Sequence, residues 1–150
     1  MILVTVGTTM PFDELVREVD RLAGEDFFGE PVLFQTGQGQ YLPQHGEHFR
    51  FRPSLDELIA QASLVIGHGG TGTTLGLMNA NRPFLSVANK AGADDHQSEF
   101  LAVLEKKCGI VWTNDVKRIA ALCERARSRP YTALNAPKLA DVISHYLDAL

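Results

Sequence analysis

A segment of six residues combines the residue types that can hold a phosphate group. Its members are His68, Gly69, Gly70, Thr71, Gly72 and Thr73. A turn between a strand and a helix directs backbone N–H groups and the positive helix end at an anion, and glycines let the backbone approach closely. An ordinary turn between a strand and a helix is the alternative interpretation. The imidazole and the threonine hydroxyls favour phosphate binding, and we call residues 68–73 the glycine turn.

The composition limits the classes of protein to which the chain can belong. It has 150 residues, of which 45% are hydrophobic and 21% are charged, as expected for one globular domain. The net charge is −4 and no basic tract is present, which argues against a nucleic-acid partner. Cys108 and Cys123 lack the spacing of a metal site. We expect them to be reduced, partly buried thiols, and a disulfide is the less favoured alternative.

The sequence contains no recognisable targeting or membrane-spanning segment. Met1 is followed directly by the strand-like residues ILVTV, without the basic and apolar regions of a signal peptide. No run of 18 apolar residues occurs anywhere in the chain. We therefore expect a cytoplasmic protein that reaches a membrane only through a partner or a surface helix.

Short apolar segments alternate with amphipathic helical patterns along the whole chain. Strands are predicted at 2–6, 31–35, 48–52, 64–67, 83–88 and 109–113. Helices are predicted at 12–23, from a capping box of Ser54 and Glu57, at 73–79, from Asp95 or His96 to 107, from Asn114 or Asp115 to 127, and at 137–150. This alternation predicts a doubly wound, Rossmann-like α/β fold with a mainly parallel sheet.

The polar, glycine-rich loops of the chain follow the predicted strands. They comprise residues 7–9, 36–38, 68–73 and 89–97. Ligands of open α/β sheets bind beyond the carboxyl ends of the strands, so this arrangement indicates a nucleotide-like ligand. The first strand lacks the GxGxxG that a dinucleotide dehydrogenase carries, and no GxxxxGK[ST] phosphate loop is present.

Three segments carry a resemblance to a known family. They read VTVGTT at 4–9, LVIGHGGTGTTLGLMNANRPFLSVANK at 64–90 and DDHQSEF at 94–100. Together they resemble the C-terminal, donor-binding domain of family 28 glycosyltransferases. They are most similar to its stand-alone form in two-subunit enzymes, such as the dolichol-linked N-acetylglucosamine transferase and bacterial exopolysaccharide glucuronosyl or glucosyl transferases. The resemblance covers most of the chain.

The resemblance implies that residues 1–150 form one half of a GT-B glycosyltransferase, the half that binds the nucleotide sugar. His68 and the backbone of Gly70 to Thr73 would hold the donor pyrophosphate and stabilise the leaving diphosphate, without a cofactor or a metal ion. A structural role for His68, bonding the neighbouring loop, is the alternative.

The resemblance also implies contacts to the other parts of the donor. His96 and Gln97, with Asp95, would bind the sugar hydroxyls, because an amide can both donate and accept. Phe51 and Arg52 would meet the uracil. The cleft would be lined by Gly7, Thr8, Thr9 and Gln38. Helix capping is an equal alternative for His96, and capping or sugar contact is favoured over metal binding for Asp94 and Asp95.

One position departs from the family pattern. The family usually has a Glu that holds the ribose at the position of Gly76. A glycine inside a helix costs about 1 kcal/mol relative to alanine, which suggests that another group approaches closely there. Either the ribose is held differently, or nucleotide affinity is weaker.

The sequence contains no convincing general base for the acceptor. The resemblance therefore implies a catalytic subunit that is active only with a membrane-associated, acceptor-binding partner at the cytoplasmic membrane face. It would transfer a hexose-type sugar from a UDP-sugar to a lipid-linked acceptor. The last helix, Lys138 to Leu150, would dock the partner or pack on its own sheet. A non-catalytic nucleotide-sugar module is the alternative function, and a relative of nucleotide-sugar epimerases is a weaker one.

Overall fold

The computed structural model describes residues 1–91, 96–133 and 135–149. Its strands are β1 (Ile2–Thr5), β2 (Val32–Gln35), β3 (Glu47–Phe49), β4 (Leu64–His68), β5 (Phe84–Val87) and β6 (Trp112–Thr113). Its helices are α1 (Asp13–Gly24), α2 (Asp56–Gln61), α3 (Thr71–Asn79), α4 (His96–Cys108), α5 (Ile119–Arg127) and α6 (Ala136–Ala149), with a 3-10 turn at Val116–Arg118.

The strands form one parallel sheet with the order β3-β2-β1-β4-β5-β6. This is the strand order of a Rossmann fold, and it confirms the predicted fold class. The direction of chain progression reverses between β1 and β4. At the carboxyl end of β1, Thr5 is level with Gln35 of β2 and with Gly67 of β4. The loops after these strands therefore meet at one edge of the sheet.

Buried side chains cover both faces of the sheet, because successive residues of a strand point to opposite faces. Ile2 and Val4 belong to the cluster that includes α1 and α5. Leu3 belongs to the cluster that includes α3, α4 and α6. All three side chains are fully buried, and each contributes about 1.5–3 kcal/mol to stability. The core thus fixes the position of β1, whose end carries the first polar loop.

Element boundaries differ from the prediction mostly around the polar loops. The strand predicted at 48–52 is displaced to Glu47–Phe49, because β3 is an edge strand that leaves the sheet after Phe49. The predicted capping box is wrong, because α2 begins at Asp56 with Leu55 as its N-cap. The Ser54 hydroxyl instead accepts a hydrogen bond from the Asp56 N–H at 3.1 Å. Pro53 and Ser54 consequently stay in the loop.

Two further boundaries differ in the second half of the chain. The helix α3 begins at Thr71, two residues before the predicted start, so the glycine turn contains its first turn. Asp115 caps a 3-10 turn rather than an α-helix, and its side chain accepts from the Lys117 N–H. A local side-chain bond of this kind competes with regular helix geometry.

Helix α6 packs on the protein's own core. Val142 is fully buried, and Lys107 of α4 forms an ion pair with Asp141 at 2.8 Å. Ile143 is 45% exposed, so one side of the helix remains accessible. Packing is therefore established, and docking of a partner stays a prediction. The apolar positions predicted at Tyr146, Leu147 and Leu150 lie outside the side chains that the structure describes.

The two cysteines are more deeply buried than predicted. Cys108 and Cys123 are both free and buried, and burial raises the pKa of Cys123 to about 11. Across the described part of the chain, no helix has the length and apolar character needed to cross a membrane.

Candidate functional site

A cavity of ≈ 330 Å³ lies where the chain progression reverses, beyond the ends of β1, β2 and β4. Parallel sheets place their ligands at this point. Part of the lining comes from Thr5, Gln35 and the loop after β3. The predicted site residues that line the cavity are Gly7, Thr8, Thr9, Phe51, Arg52, His68, Gly70, Gly72 and Thr73. We call it the switch-point cavity.

The imidazole of His68 lies between two glycines. A Cβ atom added at Gly7 would be 2.6 Å from His68 Nε2, and one added at Gly70 would be 2.4 Å from His68 Cε1. Gly7 also has a φ of +80°, which L side chains rarely adopt. Any side chain at either position would displace the ring. The two glycines therefore fix the imidazole at the wall of the cavity.

His68 is held as a neutral ring within its own turn. Its Nε2 and Thr73 Oγ1 are 3.0 Å apart, so the hydrogen bond joins the strand end to the first turn of α3. Burial lowers the pKa of His68. The structure thus gives His68 a hydrogen bond within the glycine turn, and its roles in the structure and toward the phosphate both stay predictions.

The first turn of α3 presents backbone donors that no side chain caps. Gly70, the N-cap residue, has an extended backbone and makes no side-chain capping bond. The first N–H groups of a helix lack partners within the helix and carry the positive end of its dipole. Gly69 and Thr71 do not line the switch-point cavity. Gly69 instead donates to the Val87 carbonyl at 2.7 Å and fastens the turn to β5.

Gln35 is a buried residue of the site that the sequence reasoning missed. Its Oε1 accepts from Thr5 Oγ1 at 2.7 Å, from Val6 N at 3.0 Å and from Gly7 N at 3.2 Å. Its Nε2 donates to the carbonyls of Gly7 and Arg50 at 3.0 and 2.9 Å. One amide thus joins the loops after β1 and β3. Its signal in the sequence is a polar residue that ends the apolar strand VLFQ.

Replacing Gln35 by leucine is expected to lower the free energy of unfolding by about 3 kcal/mol or more, since each buried polar group left unpaired costs about 1–3 kcal/mol. Denaturant unfolding measures this change. Gln38→Leu is the matched control, because Gln38 is exposed and makes one bond, to the Thr8 carbonyl. Equal losses in the two variants would contradict the role of Gln35.

Of the residues predicted to bind the sugar, His96 and Gln97 do not line the switch-point cavity. Gln97 Oε1 accepts from the Asn89 N–H at 2.9 Å. His96, the first residue of α4, lies 3.4 Å from a Glu99 oxygen through its Nδ1. Asp94 and Asp95 lie outside the described residues. The sugar contact therefore stays a prediction.

Some of the other predicted cleft residues line the switch-point cavity, and one of them supports a loop that lines it. Phe51 is 48% exposed at the cavity. The Arg52 guanidinium lies 4.2 Å from the centroid of the Phe49 ring. Gln38 does not line the cavity, but its bond to Thr8 holds the loop that does. In the described part of the chain, no group of three or more His, Cys, Asp or Glu side chains could hold a metal ion.

Gly76 faces open space. A Cβ atom added there would meet nothing within 4 Å, so no protein atom makes the close approach that a helical glycine suggested. Gly76 instead lines a second cavity, of ≈ 490 Å³, between α2 and α3. We call this the interhelix cavity. Because Gly76 has no side chain, this part of the interhelix cavity stays open.

Gly76→Ala is expected to raise the free energy of unfolding by about 1 kcal/mol, because alanine restricts the unfolded chain and fits the open space. Gly70→Ala, in the same segment, should instead destabilise the fold, since its Cβ would overlap the His68 ring. Thermal or denaturant unfolding compares the two. Destabilisation by Gly76→Ala would contradict the open space.

Known proteins are similar to this chain in sequence and in fold. Residues 1–126 match the model of the glycosyltransferase family 28 C-terminal domain. The human UDP-N-acetylglucosamine transferase subunit ALG13 is 32% identical over 117 residues, which cover 71% of this chain and 10% of that protein. The chain thus spans about a tenth of the length of this relative.

Solved structures share the fold. The NMR structure of ALG13 has a TM-score of 0.58 at 21% identity and covers 88% of this chain and 87% of its own. The crystal structure of Acinetobacter baumannii MurG has a TM-score of 0.58 at 16% identity, covering 94% of this chain but 48% of its own. The fold thus corresponds to about half of that larger protein. From the family match over residues 1–126, the chain belongs to the glycosyltransferase family 28 C-terminal domain family.

Proposed function

We propose that this chain is the donor-binding catalytic subunit of a two-subunit glycosyltransferase. It would move a hexose-type sugar from a UDP-sugar to a lipid-linked acceptor, in polysaccharide, exopolysaccharide or glycolipid synthesis. The observation that carries the proposal is the switch-point cavity, where an imidazole held between two glycines adjoins the uncapped first turn of α3. Family membership and the name of the human relative support it.

The proposed chemistry is stabilisation of the leaving nucleoside diphosphate. Backbone N–H groups at the start of α3 and the imidazole of His68 would receive the diphosphate as its negative charge grows. Donors that are already in place need no reorganisation during the reaction, which makes them effective. Phe51 and Arg52 would contact the base, and His96 and Gln97, with Asp95, the sugar.

The lining of the switch-point cavity supports the proposed need for a partner. Of the described residues that line it, His68 and Arg52 are those with titratable side chains, and no carboxylate is present. His68 is assigned to the leaving group, so the base that accepts the proton of the acceptor hydroxyl would come from a second subunit. Because the acceptor is lipid-linked, that subunit would hold the chain at the cytoplasmic face of a membrane, with the exposed side of α6 as a candidate docking surface.

Co-expression with candidate acceptor subunits tests the proposal. Transfer of labelled sugar from a UDP-sugar to membrane lipid is expected only when both chains are present. If the chain binds UDP but no pairing gives transfer, the alternative function, a non-catalytic nucleotide-sugar module, is favoured. Gly76 supports that alternative, because the family's ribose contact is missing there. If millimolar UDP and UDP-sugars give no calorimetric response, both functions are wrong.

A further inference from the structure

The hydrogen bond between His68 and Thr73 can run in either of two directions. Its atoms are His68 Nε2 and Thr73 Oγ1, which are 3.0 Å apart. A neutral imidazole has one N–H and one acceptor nitrogen, whereas a hydroxyl can donate or accept. If Thr73 donates, Nε2 is the acceptor and the ring proton is on Nδ1. If Nε2 donates instead, Nδ1 carries a lone pair. The direction of this bond therefore decides what the ring offers to a ligand.

The Nδ1 atom of His68 is the ring nitrogen that remains for a ligand. It makes no hydrogen bond with any described residue. A Cβ atom added at Gly70 would be 3.0 Å from Nδ1, so this nitrogen lies beside the N-cap of α3, where no side chain covers it. The Nε2 atom has less room, because a Cβ atom added at Gly7 would be 2.6 Å away and the Thr73 hydroxyl already bonds it.

An anion at the start of α3 requires a hydrogen-bond donor from the ring. The first N–H groups of the helix and its dipole favour negative charge there, and under the proposed function the diphosphate is that anion. A lone pair on Nδ1 would repel a phosphate oxygen, whereas an Nδ1–H would donate to it. Burial lowers the pKa of His68, so the ring at neutral pH has one proton and cannot donate from both nitrogens. The ring can therefore donate to the diphosphate through Nδ1 only if Thr73 donates to Nε2.

We propose that Thr73 is a positioning residue, whose hydroxyl donates to His68 Nε2 and so holds the ring proton on Nδ1, toward the leaving diphosphate. The proposal rests on the proposed function, which supplies the diphosphate. It assigns the Thr73 hydroxyl to the imidazole rather than to the phosphate. A histidine at the end of β4 and a hydroxyl of α3, five residues later, then act as one unit.

NMR spectroscopy of the chain with ¹⁵N-labelled histidine tests the direction of the bond. Long-range proton–nitrogen correlations show which ring nitrogen carries the proton, and the signals that His68→Ala lacks belong to His68. At about pH 8, above the ordinary histidine pKa of 6.5, the wild type should carry this proton on Nδ1 with about a fivefold preference, as one hydrogen bond gives. Thr73→Ser should keep the preference. Thr73→Val, which has a similar shape but no hydroxyl, should lose it.

Calorimetric titration with UDP separates this role from a direct contact between the Thr73 hydroxyl and the phosphate. Thr73→Val should weaken UDP binding about tenfold, whereas Thr73→Ser should stay close to the wild type. Combined with His68→Ala, Thr73→Val should cause no further loss, because residues that act as a unit are not additive. A hydroxyl that bonded the phosphate itself would add its own loss in the double variant.

Three results overturn the assignment but leave the proposed function standing: a His68 proton on Nε2 in the wild type, wild-type UDP affinity in Thr73→Val, or an additive loss in the double variant. The wild-type spectrum decides the direction of the bond even if Thr73→Val does not fold. Absence of UDP binding by the wild type overturns the proposed function, and with it the role of Thr73 toward the diphosphate.

Discussion

His68→Ala is expected to lower the rate of sugar transfer by about 100-fold to 1,000-fold in the presence of the acceptor subunit, the usual cost of removing one donor that stabilises a developing anion. The proposed function places the imidazole at the leaving diphosphate, where the charge grows. The loss should therefore appear in kcat more than in KM. Steady-state kinetics with a labelled UDP-sugar separates the two constants.

A matched histidine variant controls for this experiment. His48 is exposed on the edge strand β3 and does not line the switch-point cavity, so His48→Ala should retain wild-type kinetics. Thermal unfolding of His68→Ala verifies that the fold survives the space left between Gly7 and Gly70. A folded His68→Ala variant with wild-type kcat would remove His68 from the mechanism.

The burial of His68 also has a consequence for stability. Because burial lowers the pKa of His68 in the folded protein, the unfolded chain binds a proton more readily below the ordinary value of 6.5. The contribution of the neutral ring to stability is present above that value and is lost as the pH falls. As the pH is lowered below that value, the free energy of unfolding of the wild type should therefore fall relative to that of His68→Ala.

Asp20→Ala is expected to lower the free energy of unfolding by about 3 kcal/mol or more, because hydrogen bonds to a charged group contribute about 1.5–3 kcal/mol each. Asp20 is 1% exposed on α1. It accepts from the Tyr41 hydroxyl at 2.6 Å and from the backbone N–H groups of Gln44 and His45 at 3.0 and 2.8 Å. One carboxylate thus fastens the loop before β3 to the first helix.

The acid dependence of this effect has a definite sign. Burial raises the pKa of Asp20, but the hydrogen bonds from Tyr41, Gln44 and His45 outweigh it, and the net pKa is lowered. The stabilisation is therefore complete above the ordinary pKa of 3.8 and is lost as the pH falls through the lower folded value. The difference between wild type and Asp20→Ala should shrink at acid pH.

Denaturant unfolding over a series of pH values measures both parts of the Asp20 prediction. Glu14→Ala is the control, because it removes a carboxylate from an exposed position of the same helix. Its effect on stability should stay small. If the two variants unfold at the same denaturant concentration, the network around Asp20 does not stabilise the fold.

Much of the fold could be predicted from residue patterns, because strand and helix periodicities act locally. The apolar run at β1 and the stripe of α1 depend on which residues are buried, and burial follows from period 2 or period 3.6. The predicted helix boundaries were wrong where a side-chain hydrogen bond competes with the backbone hydrogen bonds of the helix. Ser54 accepts a hydrogen bond from the Asp56 N–H within the loop, and the N-cap of α2 is Leu55, one residue later than the predicted Ser54.

The candidate site also has residues that could be predicted from the sequence and residues that could not. The glycine turn could be recognised because its residues are consecutive. Gln35 could not, since its importance depends on neighbours that are distant in the sequence. Gln35 bonds Arg50 and Gly7, which lie 15 and 28 residues away.

By itself, the sequence determined the fold class and the family, and it predicted phosphate binding by the glycine turn. Each of these depends on short segments whose order along the chain is enough. Only the tertiary structure decided that Gly7 approaches the His68 ring and that Gln35 joins the loops after β1 and β3. The physical reason is that these contacts join the ends of separate strands, and the packing of the parallel sheet alone brings those ends together.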